Sequence, residues 1–335
     1  MSGGRLVVDG YDLVILDLDG VIYLGDQPIP GASDAVARLR AAGMPVAFVT
    51  NNASRRPAEV AALLASLGVP ATALEVVTSA VAAARLLATS LPAGSPVLVV
   101  GAPALAAELA ETGLRVVDEA ADLPVAVVQG YGPQVGWAQL AEACVAVRGG
   151  VRWVATNTDR TLPSPRGPLP GNGALVAALA TALGRGPDLV VGKPEPALFG
   201  QAAERTGSRR PLVVGDRLDT DIEGAHRAGM DSMLVLTGVA RPADLLAAPQ
   251  QRRPTYLADD LSGLFAVDSA PAPQTGGWQV NRHGVDRLVL SGDGTPLDAL
   301  RALCTAAWSQ PATVSNVVAD GPAAAAVLKA LGLAG

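Results

Sequence analysis

The chain has 335 residues, a length that accommodates about two domains and a small third. Half of the residues are apolar and 17% are charged, which permits a large buried core and argues against wholesale disorder. The formal net charge of -6 argues against a protein that binds nucleic acid or anionic membranes, because such proteins need clustered Lys and Arg.

The sequence shows no targeting or membrane signal. Residues 1–12 have no apolar core of signal-peptide length, and prolines and glycines interrupt the uncharged stretch Leu86–Ala107. Cys144 and Cys304 have neither metal-site spacing nor the pattern of a disulfide framework. We therefore expect a cytoplasmic protein with no membrane partner, and the sequence leaves a homo-oligomer open.

Strand-like and helical patterns alternate in the first part of the chain and again after residue 187. Short runs of β-branched residues and leucine indicate strands, and Ala/Leu-rich segments indicate helices. Ser33 is expected to cap a helix that runs to Gly43, and Pro57 begins a helix that ends near Gly68. The predicted strands are Leu13–Leu16, Pro45–Val49, Asp188–Val191, Pro211–Val214 and Asp231–Leu236. This alternation predicts a doubly wound parallel sheet covered by helices on both faces.

The middle of the chain, residues 82–186, repeats the alternation and is long enough to be an inserted α/β domain. Its predicted strands are Val97–Val100, Arg115–Val117, Val125–Val128 and Arg152–Ala155, and its predicted helices are Ala104–Glu111, Trp137–Val147 and Gly173–Leu183. Trp137 and Trp153 are expected in the core of this insert. We thus predict a Rossmann-like α/β core at 1–81 and 187–268, the insert, a linker at 269–277 and a small α+β extension at 278–335.

Polar residues follow four of the predicted strands at the point where each strand ends. The sets are Asp17 and Asp19, then Thr50, Asn51 and Asn52, then Lys193, and finally Asp216, Asp219 and Asp221. Each set alone is typical of a turn, but ligands of an open parallel sheet bind beyond the carboxyl ends of its strands. Four sets at one edge of one sheet therefore predict a site. Lys193 supports this prediction, because it is one of only two lysines among 25 basic residues.

These residue types suit phosphoryl transfer. Carboxylates are ligands for a hard cation that keeps several waters, most naturally Mg²⁺. A lysine and a threonine hydroxyl can hold phosphate oxygens, and a carboxylate beside them can attack phosphorus in line. A second carboxylate two residues away can protonate the leaving alkoxide and later take a proton from water. The pattern predicts a Mg²⁺-dependent phosphoryl-transfer site, whose substrate is a small phosphorylated metabolite.

The motifs resemble those of a known superfamily. The segments DLDGVIY at Asp17, TNN at Thr50, GKP at Gly192 and GDRLDTD at Gly215 are similar to the four motifs of the haloacid dehalogenase (HAD) superfamily. The insert between the second and third motifs resembles its C2-type cap, and the resemblance covers residues 12–265. That subfamily includes 4-nitrophenylphosphatase-like, phosphoglycolate, pyridoxal-phosphate and glycerol-phosphate phosphatases. Together with its tail, the chain is similar to actinobacterial glycerol 3-phosphate phosphatases.

The resemblance implies a catalytic and metal-binding role for the acidic residues. It implies that Asp17 is the nucleophile and Asp19 the general acid and base. It also implies that Mg²⁺ is held by the Asp17 side chain, the main-chain carbonyl of Asp19 and Asp216, with Asp221 behind these ligands. Asp219 is expected to be exposed or to cap a helix.

The resemblance also implies a phosphate-binding group. Thr50 and the amides around Asn51 and Asn52 would bind phosphate oxygens. Lys193 would bind phosphate and orient Asp17. No motif departs from the family pattern in a way that indicates an inactive enzyme.

Substrate choice is expected to come from the insert. Its segment Thr156–Arg160 leads into a Pro/Gly-rich loop, and Asn157 and Asp159 either bind substrate hydroxyls or form Asx turns. Glycerol 3-phosphate is the first expected substrate, with 2-phosphoglycolate and pyridoxal phosphate as alternatives.

Other classes of function stay open at this point. One is a non-catalytic protein that binds or senses a phosphorylated metabolite on the same fold, although the intact Asp17 and Asp19 pair argues against it. The tail resembles part of an acetyltransferase-type fold but has no Gly-rich pyrophosphate-binding loop, which favours a structural or interaction role. His226 and His283 lie near no motif and are expected to be structural or on the surface.

Overall fold

The computed structural model describes residues 5–25, 27–162, 164, 166–267, 277–310 and 314–334. All but the last residue of the predicted linker at 269–277 lies outside the described residues. Cys144 and Cys304 are both free, and His226 and His283 are both exposed. Within the described ranges, no helix combines the length and the apolar character needed to cross a membrane.

The described chain runs through four successive parts. The first forms β1 (Leu13–Leu16), β2 (Tyr23–Leu24), β3 (Gln27–Pro28), α1 (Ala32–Ala41), β4 (Val46–Thr50), α2 (Pro57–Ser66), β5 (Val76–Thr78) and α3 (Ser79–Ser90). The second forms β6 (Pro96–Val100), α4 (Pro103–Glu111), β7 (Arg115–Val117), β8 (Ala126–Gln129), α5 (Trp137–Arg148), β9 (Arg152–Ala155), β10 (Thr161–Leu162), β11 (Leu169–Pro170), α6 (Asn172–Leu183) and β12 (Leu189–Val190). The third forms α7 (Ala197–Thr206), β13 (Pro211–Gly215), a π-helical turn (Leu218–Ile222), α8 (Glu223–Arg227), β14 (Asp231–Val235), α9 (Pro242–Leu246) and β15 (Tyr256–Ala258). The last forms β16 (Gln279–His283), β17 (Arg287–Ser291), α10 (Pro296–Trp308), β18 (Asn316–Asp320) and α11 (Pro322–Ala330).

The cap is residues 91–190, and the extension is residues 277–334. The core is the remainder of the described chain, residues 5–90 and 191–267.

Six parallel strands form the central sheet of the core, in the order β15-β14-β13-β1-β4-β5. Every residue of β1 is buried, because helices cover both faces of the sheet. Val14 and Leu16 pack on the side of α1 and α2, whereas Leu13 and Ile15 pack on the side of α3 and α7. The predicted doubly wound sheet is confirmed.

The cap is built on a second parallel sheet, in the order β12-β9-β8-β6-β7. Helix α3 lies between the two sheets, since its Leu87 belongs to one apolar cluster with Ile15 of the core sheet and Val99 of the cap sheet. The opposite face of the cap sheet carries the fully buried Trp153, which packs with α5 and α6. A shared apolar layer therefore fixes the cap to the core.

The extension is a three-stranded sheet, β16-β17-β18, with two helices. Leu300 and Leu303 of α10 share one apolar cluster with Leu245 and Leu246 of α9 in the core. The indole nitrogen of Trp308 donates a hydrogen bond to the carbonyl of Leu245 at 2.9 Å. The extension thus completes its own apolar interior on the surface of the core, as expected for a segment of this size.

One predicted strand belongs to the other sheet. The sequence pattern places Asp188–Val191 in the core sheet, but β12 pairs with β9 of the cap, with Leu189 opposite Val154 and Val190 opposite Ala155. The prediction is wrong because an apolar run identifies a strand without identifying its partner. The second sheet thus extends past residue 186 to residue 190, and the chain re-enters the core just before Lys193.

Two local expectations are also wrong. Helix α1 begins after Gly31, whose φ of 80° lies in the left-handed region that favours glycine. Ser33 does not cap this helix, since its hydroxyl donates to the carbonyl of Gly68 at 2.5 Å. Trp137 is 83% exposed, because it occupies the first turn of α5 and the residues of α5 that face the sheet begin at Leu140.

Candidate active site

Three neighbouring strands of the core sheet end at the predicted site. The strands are β13, β1 and β4, and their ends carry Asp216, Asp17 and Thr50. Parallel strands end at the same edge of a sheet, so these three residues lie together. Lys193 reaches the same place from the loop after β12, and its side chain is only 3% exposed.

Lys193 lies between two carboxylates. Its Nζ atom is 2.6 Å from Asp17 Oδ1 and 2.6 Å from Asp221 Oδ1. Burial alone would lower the pKa of Lys193, but the two carboxylates outweigh burial and raise it. The ammonium group therefore keeps its charge at the site.

Three buried carboxylates meet at this edge. Oxygens of Asp17, Asp216 and Asp221 lie within 4.8 Å of one another. Burial raises the pKa of Asp17 well above its ordinary value, although Lys193 opposes this shift. Burial and the nearby Asp221 carboxylate raise the pKa of Asp216 to about 7. Three carboxylates around one lysine leave an excess of negative charge, which a divalent cation would offset.

Asp216 offers the oxygen best suited to a cation. Its Oδ2 accepts a hydrogen bond from the amide of Val239 at 2.7 Å, whereas its Oδ1 is buried without a hydrogen-bond partner among the described residues. A buried carboxylate oxygen without a donor is unfavourable unless a cation pairs with it. Both oxygens of Asp221 are already used, by Lys193 and by the amide of Arg217 at 3.1 Å. These carboxylate oxygens are suitable ligands for Mg²⁺, and Asp216 is better suited than Asp221 to be a direct ligand.

Glycines allow the main chain to approach Asp216 closely. A Cβ atom on Gly20, whose φ is 80°, or on Gly238 would collide with the Asp216 carboxylate. Thr237 links the two glycine segments, because its hydroxyl donates a hydrogen bond to the carbonyl of Gly20 at 2.5 Å. The sequence analysis missed Thr237 and Gly238. The signal that could have found them is that they follow β14, another strand of the same sheet.

Asp19 and Asp219 have different surroundings. Burial raises the pKa of Asp19 to about 6, while Lys193 and Arg55 oppose the shift. Asp219 lies outside the carboxylate cluster, since it pairs with Arg217 at 2.9 Å and its side chain is 49% exposed. Arg55 is another residue that the sequence analysis missed. It comes soon after the Thr50–Asn52 motif and places a positive charge near Asp19.

The Thr50–Asn52 segment joins three loops. The hydroxyl of Thr50 accepts a hydrogen bond from the amide of Asn52 at 3.1 Å, which leaves the hydroxyl hydrogen free to donate. The side chain of Asn51 bonds to both main-chain polar groups of Lys193 and to the carboxylate of Asp159. The structure thus brings the second motif, Lys193 and the cap loop together.

Two cap residues that were predicted to bind substrate lie beside this junction. Asn157 is 4% exposed, its Nδ2 donates to the carbonyl of Asn51 at 2.7 Å, and its Oδ1 accepts from the amide of Asp159 at 3.1 Å. This is the Asx-turn alternative, and it occupies both polar groups of the Asn157 side chain. Asp159 has a raised pKa because of burial, and only its Oδ2 accepts a hydrogen bond from the described residues. Asp159 therefore keeps one oxygen for a ligand.

The fold and the site together define a hydrolase that combines an aspartate, a lysine and a divalent-cation site on a doubly wound α/β core. The chain belongs to the haloacid dehalogenase-like hydrolases. A family model with that description matches residues 14–115, and a HAD-hydrolase-like model matches residues 190–264. A model for a GCN5-related N-acetyltransferase like domain matches residues 275–333, in agreement with the resemblance noted for the tail.

Relatives of this chain are phosphatases. The D-glycerol 3-phosphate phosphatase of Mycobacterium tuberculosis is 48% identical over 316 residues, which cover 91% of this chain and 88% of that protein. A 5'-nucleotidase of Bacillus subtilis is 37% identical over 254 residues, covering 75% of this chain and 96% of that protein. The solved structure of the M. tuberculosis glycerol phosphate phosphatase in complex with magnesium superposes with a TM-score of 0.92 at 45% identity and covers 99% of this chain and 100% of its own.

Proposed function

We propose that this protein is a Mg²⁺-dependent phosphomonoesterase that hydrolyses glycerol 3-phosphate through a phosphoaspartate on Asp17. The observation that carries the proposal is the position of Lys193, 2.6 Å from Asp17 and 2.6 Å from Asp221. The Asp216 carboxylate belongs to the same cluster, and its Oδ1 has no hydrogen-bond partner among the described residues. The choice of substrate rests on the M. tuberculosis relative, which matches the core, the cap and the extension. The lack of a nucleic-acid partner follows from the acidic composition. A cytoplasmic location belongs to the same proposal.

The metal would be held by the carboxylate of Asp17, the main-chain carbonyl of Asp19 and Asp216. When bound, it neutralises negative charge on the transferring phosphoryl group. The buried, unpartnered Oδ1 of Asp216 supports this assignment, because the folded chain itself provides no donor for it in the described residues.

The first chemical step transfers the phosphoryl group to Asp17. Lys193 holds Oδ1 of Asp17, which leaves the other oxygen to attack phosphorus in line. The new bond joins the Asp17 carboxylate to phosphorus, and the bond from phosphorus to the glycerol oxygen breaks. Lys193 and the hydroxyl of Thr50 bind phosphoryl oxygens. Asp19, whose pKa burial raises to about 6, donates its proton to the departing alkoxide.

The second step restores the enzyme. Asp19, now ionised, takes a proton from a water molecule as that water attacks the phosphoaspartate. The bond between phosphorus and Asp17 breaks, and inorganic phosphate leaves. One residue serves as acid and then as base, which suits a carboxyl group whose pKa lies near neutrality.

The cap supplies contacts to the part of the substrate that differs from one phosphate ester to another. The free oxygen of Asp159 can accept a hydrogen bond from a glycerol hydroxyl. Asn157 has no role in this proposal, because both of its polar groups are bonded within the protein.

A substrate panel tests the proposal. Phosphate release is measured for glycerol 3-phosphate, 2-phosphoglycolate, pyridoxal phosphate and 4-nitrophenyl phosphate, with Mg²⁺, after chelation and with Ca²⁺ alone. We expect the highest kcat/KM for glycerol 3-phosphate, and we expect activity only with Mg²⁺ because Ca²⁺ admits more ligands and would engage both oxygens of Asp17. A preference for another ester would overturn the substrate, and no turnover of any ester would favour the non-catalytic class.

A further inference from the structure

We infer that Asn51 is a positioning residue that fixes the main chain of Lys193 and ties it to the cap. The inference rests on the proposed function, in which Lys193 binds the phosphoryl group. It assigns to the Asn51 side chain a task different from the phosphate contact that the motif resemblance suggests for this segment.

The first part of the argument is the grip on Lys193. Asn51 Oδ1 accepts a hydrogen bond from the Lys193 amide at 2.7 Å, and Asn51 Nδ2 donates to the Lys193 carbonyl at 3.0 Å. One planar amide thereby holds both main-chain polar groups of a residue 142 positions away. Both residues are buried, at 8% and 4% exposure, so water does not compete for these bonds.

This grip matters because a lysine side chain is flexible. Four rotatable bonds separate its main chain from Nζ, and the ammonium must meet Asp17 and Asp221 at once. Fixing the main chain of Lys193 fixes the Cα atom from which its side chain extends. Gly192 allows Asn51 to come close enough to form these hydrogen bonds, since a Cβ atom at position 192 would lie 2.6 Å from Asn51 Oδ1.

The second part is the connection to the cap. The other hydrogen of Asn51 Nδ2 goes to Asp159 Oδ2 at 3.0 Å, and the Asn51 carbonyl accepts from Asn157 Nδ2 at 2.7 Å. Asn172 continues the connection into the cap, because its Nδ2 donates to the carbonyl of Asn157 at 2.7 Å. The second motif, the lysine loop and the cap loop are therefore joined in one hydrogen-bonded network.

The residue type follows from this geometry. The site needs one acceptor and two donors in a single short side chain, and asparagine supplies all three. Aspartate keeps the acceptor for the Lys193 amide but has no hydrogen for the Lys193 carbonyl or for Asp159.

The test compares the double variant Asn51→Asp/Asp159→Asn with Asp159→Asn alone. The Asp159→Asn background prevents two carboxylates from facing each other, and the double variant keeps the formal charge of the wild-type pair while it removes the donor to the Lys193 carbonyl. With 4-nitrophenyl phosphate as substrate, we expect kcat to fall at least ~10-fold in the double variant, the order of loss that a misplaced group causes. We also expect competitive inhibition by inorganic phosphate to weaken at least ~10-fold, since Lys193 binds the same oxygens.

Ser79→Ala is the matched control. Ser79 is fully buried and its hydroxyl donates to the Asn51 carbonyl at 2.6 Å, so this variant removes a buried bond to Asn51 without touching Lys193. We expect Ser79→Ala to lower the Tm while its kcat and phosphate inhibition stay at the wild-type values. If the double variant is insoluble, Asn51→Ser provides the same comparison, because serine is too short to reach Lys193 and Asp159 together.

Two results would overturn the inference. One is a folded Asn51 variant with the kcat and phosphate affinity of its reference. The other is an equal loss of kcat in Ser79→Ala, which would make the Asn51 bonds purely structural. An inactive wild type would count against the proposed function alone, because binding of inorganic phosphate, followed as a rise in Tm, still compares the variants.

Discussion

The cap and the extension both contact the core, but the two contacts differ in kind. The cap contact beside the active site consists of hydrogen bonds, whereas the contact of the extension is mainly apolar. Beside the site, the cap is held by side-chain amides, with Asn157 and Asp159 bonded to Asn51. The extension is held mainly by an apolar cluster that joins Leu300 of α10 to Leu245 of α9. Hydrogen bonds are directional and fix atoms, whereas apolar burial is non-directional and contributes mostly stability. Changes at the cap contact should therefore alter catalysis, and changes at the extension contact should alter stability.

The largest effect is expected at Asp17, which belongs to neither contact and sets the scale. We predict that Asp17→Asn lowers kcat at least ~1000-fold, because the nucleophile and a metal ligand are lost together. The variant should still fold, since the amide oxygen of asparagine can accept the hydrogen bond that Lys193 donates to Asp17. Asp219→Asn is the matched control, because Asp219 is a half-exposed carboxylate whose ion-pair partner among the described residues is Arg217. Substantial phosphate release by a folded Asp17→Asn protein would remove Asp17 from the mechanism.

Lys193→Arg tests whether the site between Asp17 and Asp221 accepts only a compact ammonium group. The ammonium fits between two carboxylates at 2.6 Å each with 3% exposure, so a planar guanidinium has no room. We predict a ~10- to 1000-fold fall in kcat, the range expected when a charged group is misplaced. Lys329→Arg, at an exposed position in α11, is the control and should leave the rate unchanged. A normal rate in Lys193→Arg would mean that charge alone suffices there.

Asp159→Ala separates substrate recognition from chemistry at the cap contact. A hydrogen bond to a charged group is worth about 1.5–3 kcal/mol, so kcat/KM for glycerol 3-phosphate should fall ~10- to 100-fold. The loss with 4-nitrophenyl phosphate should be much smaller, because that ester offers no hydroxyl. Steady-state kinetics on both substrates make the comparison, and equal losses would show that Asp159 only shapes the loop.

The smallest effect on activity is expected at the extension. Leu300 is fully buried in the cluster shared with the core, and Leu→Ala at such a site costs about 2–5 kcal/mol of stability. We predict this loss in denaturant unfolding of Leu300→Ala, with kcat of the folded protein close to wild type. Val285→Ala, at a position 67% exposed in the same extension, is the control. A large fall in kcat would instead show that the extension shapes the π-helical turn through Leu218, which belongs to the same cluster.

The sequence predicted the parts of the site that depend on strand ends. Asp17, Thr50 and Asp216 could be placed together because each follows a recognisable strand of one sheet. The partner of the strand before Lys193 could not be predicted, since the sheet to which β12 belongs depends on contacts across the fold. Lys193 still reaches the site because the return from the cap passes the same sheet edge.

The task of Asn51 was beyond sequence reasoning for a similar reason. An asparagine in a strand-end motif looks the same whether its amide faces a ligand or the main chain of another loop. Its partners, Lys193 and Asp159, are 142 and 108 positions away, and only the folded chain shows which of them it meets. The helix that begins at Trp137 was predicted correctly, but the exposure of Trp137 was missed because the apolar character of one side chain does not show which face of a helix meets the sheet.

The position of β1 in the middle of the core sheet has a consequence for synthesis of the protein. One edge of β1 pairs with β4, which follows soon after, but the other edge pairs with β13, with Leu13 opposite Pro211. Translation at about 5–20 residues per second means that the cap alone delays β13 by roughly 5–20 s. Through that interval the nascent chain carries an apolar strand with an unpaired edge, the kind of surface on which aggregation begins. Chaperones and slower growth at low temperature should therefore raise the soluble yield of this protein more than they raise the yield of a protein whose neighbouring strands are consecutive.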